Sequence, residues 1–117
     1  FQTDGKAYFD GSADEAAPAL EALGADAVGV NCASGPDMLG SVVRMMKNAC
    51  GLPIIAKPNA GLPTISEQGE AVYSLTPEAF AAAMLPLADA GASILGGCCG
   101  TTPEHIAALR AALDARA

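Results

Sequence analysis

At 117 residues the chain is long enough for one modest domain with a core of its own. Its 13 acidic and 6 basic residues give a net charge of -7, which argues against nucleic acid and anionic membranes as partners, because both require basic surfaces. No apolar run approaches the roughly 20 residues of a membrane span.

The first residues, Phe1 to Tyr8, read as the remnant of a strand and its following loop. Ser12 with Glu15 three residues later has the pattern of a capping box. The helix after it holds Leu20 and Leu23 and stops at Gly24, a suitable C′ residue. Pro18 is expected to kink that helix or delay its regular start. Ala25 to Cys32 is the first full strand. Its small apolar residues form a nearly continuous run, the pattern of a strand covered on both faces. A helix over Pro36 to Cys50 places Met38, Leu39, Val42, Val43, Met45 and Met46 at helical spacing, with Gly51 ending it.

Pro53 to Lys57 is the second strand, and Pro58-Asn59-Ala60-Gly61 is the turn at its end. Leu62 to Leu75 reads as a long loop of the kind that binds ligands. Its Glu67, Glu70 and Tyr73 are expected to be solvated or packing residues. Thr76-Pro77-Glu78 opens a third helix with Phe80, Met84 and Leu87 on one face, a kink at Pro86 and a stop at Gly91. Ala92 to Leu95 is the third strand and Pro103 to Ala115 the last helix, with Thr102 as N-cap. The order β-α-β-α-β-α implies an α/β fold with a parallel sheet.

The chemistry concentrates in Gly96-Gly97-Cys98-Cys99-Gly100-Thr101-Thr102-Pro103, a glycine-rich turn between the last strand and the last helix. Adjacent side chains on a regular strand point to opposite faces, so two neighbouring thiols converge only if the backbone leaves strand geometry. The three flanking glycines permit that. Cys32 stands at the same place after the first strand. Three thiolates converging on the C-terminal rim of a parallel sheet, with one position left exchangeable, form the donor set of a catalytic zinc. Buried structural thiols are the plainer alternative. Cys50, at a helix C-terminus, is read as such a structural thiol. His105, the only histidine, is a weaker candidate for a fourth ligand because an open site keeps one position free of protein. Asn31 and Asn59 sit at rim positions, either as turn formers or as groups that contact a thiolate or a bound amino acid. The placement of the four cysteines at element ends and the large aliphatic fraction favour a reduced, cytoplasmic enzyme.

Asn31-Cys32, Pro58-Asn59-Ala60-Gly61-Leu62-Pro63 and the Cys98-Cys99 turn together resemble the homocysteine S-methyltransferase family, and within it the methionine synthase branch. The resemblance runs through nearly the whole chain. It implies a (β/α)8 barrel in which Cys32, Cys98 and Cys99 bind Zn2+. It also implies L-homocysteine as substrate, methylcobalamin as methyl donor on another module, and a folate module nearby. A complete barrel of this type needs about 250 residues, so residues 1–117 are expected to be its C-terminal part, a partial homocysteine-binding domain without the N-terminal strands. Two rivals stand beside this reading. Glycine-rich turns next to helix N-termini are also the usual phosphate site of such barrels. An open sheet edge could instead serve only to pair with another chain.

Overall fold

Three short aliphatic runs, each closed by a turn, form one parallel sheet: β1 (Val28–Asn31), β2 (Ile54–Lys57) and β5 (Ala92–Leu95), in the order β1-β2-β5. The structure is a computed structural model that describes residues 1, 5, 11–32 and 35–116. Four helices, α1 (Ala13–Ala22), α2 (Gly40–Ala49), α3 (Pro77–Ala90) and α4 (Pro103–Arg116), alternate with the strands. The expected α/β order with parallel strands is therefore present. The expected strand remnant over 1–8 lies outside the described residues except for Phe1 and Gly5.

Strand alternation decides what the helices cover. Val28, Val30, Ile54 and Ala56 are buried, and α1 and α2 pack on β1 while α3 packs on β5. Asn31 and Lys57 on the opposite face are exposed. β1 is thus covered on one face among the described residues, where its composition suggested two. The β2–β5 register slips between Ile54 and Ile55, which leaves Ser93 out of the pairing, and both Ser93 and Ile94 are exposed. The core between sheet and helices holds Leu39, Val42, Val43, Met46, Phe80, Met84, Leu87 and Leu109. Phe80 is its largest fully buried side chain, and truncating such a residue to Ala removes about 3–5 kcal/mol.

Several local expectations hold. Gly24 and Gly91 end α1 and α3 with φ of +98° and +123°, which a side chain would make strained. Thr76 caps α3 by accepting the Ala79 N–H at 3.2 Å, with Pro77 at the first helical position. Others change. Ser12 makes no capping box, because its hydroxyl donates to Asp14 instead. α1 buries Ala13 and Ala17, while Leu23, the C-cap residue that follows it, is 83% exposed. Pro18 sits inside α1 and Pro86 inside α3 without ending either helix.

The single helix expected from Pro36 to Cys50 is a 3-10 turn at Pro36–Met38 followed by α2, joined at the buried Leu39. The expected long loop over 62–75 contains a hairpin, β3 (Pro63–Ile65) paired antiparallel with β4 (Ala71–Tyr73). Its turn closes through Ser66, whose N–H donates to Glu70 O at 2.8 Å and whose carbonyl accepts the Gly69 N–H at 2.9 Å.

Candidate metal centre

The three rim cysteines are set by backbone hydrogen bonds that extend the sheet past its last residues. Cys32 follows β1 and donates its N–H to Lys57 O at 3.0 Å. Its φ of +57° is unusual for a residue with a side chain and turns the chain sharply out of the strand. After β5, Gly96 donates to Ala56 O at 3.0 Å and Cys98 to Pro58 O at 2.9 Å. Cys99 donates its N–H to the Asn59 side-chain oxygen at 3.1 Å, and its carbonyl accepts the Ala60 N–H at 2.9 Å. Thr101 closes the turn by donating both its N–H (3.2 Å) and its hydroxyl (2.6 Å) to Cys98 O. A side chain at Gly97 would collide with Thr101, so this compact turn requires glycine there.

The consequence is that thiols from two separate strand ends meet. The sulfurs of Cys32, Cys98 and Cys99 all lie within 4.8 Å of one another, and Cys32 Sγ is 3.6 Å from Cys99 Sγ. Sulfurs bound tetrahedrally to one zinc at about 2.3 Å stand about 3.8 Å apart. The cluster therefore fits a zinc-sized ion with three sulfur ligands, and the soft donors favour that metal class. Cys32 and Cys98 are half-buried and Cys99 is exposed, so the cluster opens to solvent on one side. Without a cation, hydrogen bonds that the Cys99 S–H donates to the sulfurs of Cys32 and Cys98 hold its thiol above its ordinary value, and like-charge repulsion adds to this. A bound divalent cation would reverse that balance and deprotonate the thiols.

The other candidates separate cleanly. Asn31 points its amide at Cys98 Sγ from 4.0 Å, close to the cluster and exposed. Asn59 is 7% exposed, and its side chain fixes the backbone of a cysteine. Cys50 lies away from the cluster and packs against the core. His105 is buried and turned elsewhere. Its Nε2 donates to Leu75 O at 2.9 Å, its Nδ1 lies 2.8 Å from the Thr102 hydroxyl, and its ring meets Phe80 edge-on at a centroid distance of 5.5 Å. The Thr102 hydroxyl is thereby engaged with this ring. Glu67 and Glu70 are exposed at the hairpin end, as expected.

Tyr73, from the same segment, is half-buried beside the cysteine turn, a placement that local sequence gave no sign of. Its phenol is held above its ordinary value by desolvation and by the neighbouring Cys99. The phosphate reading loses ground here, because the amides of Cys98, Cys99 and Thr101 are already committed to internal acceptors.

A family model described as homocysteine S-methyltransferase matches residues 1–113. Methionine synthase from Mycobacterium leprae (strain TN) is 39% identical over 113 residues, covering 96% of this chain and 9% of the relative. Methionine synthase from Mycobacterium tuberculosis (strain ATCC 25618 / H37Rv) gives the same identity and coverage. The chain thus spans about a tenth of the length of these relatives.

Proposed function

This chain belongs to the homocysteine S-methyltransferase family, and on that premise we propose that it is the thiol-activating part of an enzyme that methylates L-homocysteine to methionine. Cys32, Cys98 and Cys99 hold Zn2+. The single observation that carries this reading is the meeting of their three sulfurs within 4.8 Å from two different strand ends. When bound, the zinc supplies the Lewis acidity that keeps a substrate thiol, ordinarily of pKa about 8.5, in its thiolate form at neutral pH.

The chain's own groups do the positioning. Asn59 locks the Cys99 backbone, Thr101 locks the Cys98 carbonyl, and Asn31 steadies the Cys98 sulfur while remaining open to the amino-acid part of the substrate. The exposed edge of Cys99 leaves the approach side for the substrate sulfur. The methyl group comes from methylcobalamin carried on another module, with a folate module to recharge it. The thiol set suits a reducing, cytoplasmic setting.

The surrounding architecture is the C-terminal part of a (β/α)8 barrel. Three parallel strands with helices on one face, and a second face uncovered among the described residues, support this. The residues on that second face, Asn31, Ile55 and Lys57 among them, then point into the barrel. The test is homocysteine-dependent demethylation of methylcobalamin by the intact protein, before and after chelation. Loss of turnover on chelation and its return with zinc are expected. Turnover that survives complete metal removal would refute the proposal.

A further inference from the structure

Lys57 is the last residue of β2 and stands between the two strand ends that bring the thiols together. Its carbonyl accepts the Cys32 N–H at 3.0 Å, and the carbonyl of Pro58, the next residue, accepts the Cys98 N–H at 2.9 Å. The Lys57 side chain is exposed on the face of the sheet that no described helix covers. On that face its cross-strand neighbour on β1 is Asn31, whose amide lies 4.0 Å from Cys98 Sγ. On the other side, just past the pairing of Ala56 with Leu95, is Gly96. A Cβ at Gly96 would stand 3.3 Å from Lys57 Cγ and 3.6 Å from its Cδ. The lysine stem therefore rests over that glycine, on the side of the turn that carries Cys98 and Cys99.

The other described cationic side chains, Arg44, Lys47, Arg110 and Arg116, are carried by α2 and α4. Arg110 and Arg116 are paired with Asp114 and Asp89, whereas Lys57 makes no ion pair among the described residues. Lys57 is thus the one described positive side chain on the uncovered face. Three thiolates outweigh the charge of a divalent cation, so the centre stays anionic and repels the carboxylate of an amino acid. A flexible ammonium beside the thiols offsets this repulsion through a charge-assisted hydrogen bond.

We propose that Lys57 anchors the α-carboxylate of the substrate, so that the three-thiol site selects an amino-acid thiol over a simple one. The proposal rests on the homocysteine reading above and adds to it a specificity-determining residue. Lys57 touches the carboxylate and leaves the sulfur to the cysteine centre. Gly96 contributes by having no side chain where the lysine stem must lie.

The test is calorimetric titration of the intact, zinc-loaded protein with two thiols, L-homocysteine and aminopropanethiol, which is homocysteine without its carboxylate. The parent is compared with Lys57→Met and Lys57→Arg. Methionine keeps an unbranched stem over Gly96 and removes the charge. Lys57→Met should bind L-homocysteine roughly 10–100-fold more weakly, the loss of a hydrogen bond between charged groups. It should bind aminopropanethiol as the parent does. Lys57→Arg should recover most of the homocysteine affinity, and all three proteins should hold equal zinc by elemental analysis. Equal homocysteine affinity in parent and Lys57→Met, or equal weakening of both thiols, would overturn the proposal and leave the homocysteine reading standing. A zinc-loaded parent that binds neither thiol would overturn that reading and the proposal together.

Discussion

The side-chain oxygen of Asn59 accepts the backbone N–H of Cys99 at 3.1 Å, so the residue at the rim of β2 fixes the residue that carries a thiol after β5. Asn59 is itself buried, and the two turns are further joined by the Ala60 to Cys99 and Cys98 to Pro58 bonds. Asn59→Ala removes the acceptor and leaves a part-buried N–H without a partner, which costs about 1–3 kcal/mol. Metal affinity should fall roughly 10–100-fold at the same time. Asn59→Asp keeps an acceptor oxygen and should recover most of the stability. Denaturant midpoints and chelator competition measure the two effects. An Asn59→Ala variant equal to the parent in both would contradict the role given to this bond.

The donor set is testable by metal count. Replacing Cys32, Cys98 or Cys99 by Ser should each reduce bound zinc from about one per chain to near zero after dialysis against a mild chelator, because two thiolates and a weak hydroxyl do not replace three thiolates. Cys50→Ser should retain the metal, since Cys50 packs against the core away from the cluster. Elemental analysis of freshly reduced protein decides. Zinc lost from Cys50→Ser and kept by Cys98→Ser would overthrow the assignment.

His105 should behave as a structural residue. Both ring nitrogens are engaged, with Leu75 O and Thr102, and the ring packs on Phe80. His105→Ala should lower stability by about 1–3 kcal/mol through the acceptor it leaves unpaired and the contact it loses. It should still bind one zinc when folded. A folded His105→Ala protein that cannot hold metal would make the histidine a ligand after all.

The order of elements was legible because each strand is a short aliphatic run closed by a turn, and the helix stops at Gly24 and Gly91 have a clear backbone reason. The cysteine cluster was legible because Cys32 and Cys98 occupy equivalent places after β1 and β5, and a parallel sheet brings such places to one rim. The β3–β4 hairpin was not legible. Its strands have three residues each, Pro63–Ile65 and Ala71–Tyr73, too short for an alternating pattern to emerge. Gly69 between the two runs was the available signal. The contact of Tyr73 with Gly100 depends on that hairpin and on tertiary packing, so no local pattern contains it. The capping box failed for a reason visible only in three dimensions, the Asp14 carboxylate taking the Ser12 hydroxyl.

Residues 1–117 expressed alone should show no methyl transfer. Among the described residues β1 and β5 are unpaired on their outer edges, and the face carrying Asn31, Lys57 and the 48%-exposed Ile94 is open. Such edges and faces recruit other chains. Light scattering and a methylcobalamin assay should find association and no turnover. A monomer with the turnover of the intact protein would contradict the partial-barrel account.

Binding of the substrate sulfur as a thiolate at the three-cysteine site should be visible when the intact, zinc-loaded protein is titrated with L-homocysteine. A free thiol is mostly protonated at neutral pH, so binding as thiolate should release close to one proton per site, measured by calorimetry in two buffers of different ionisation enthalpy. X-ray absorption at the zinc edge should gain one sulfur neighbour near about 2.3 Å. Inorganic phosphate should produce neither change. Saturable homocysteine binding with no proton release and an unchanged zinc edge would contradict the account, even with the metal held by Cys32, Cys98 and Cys99.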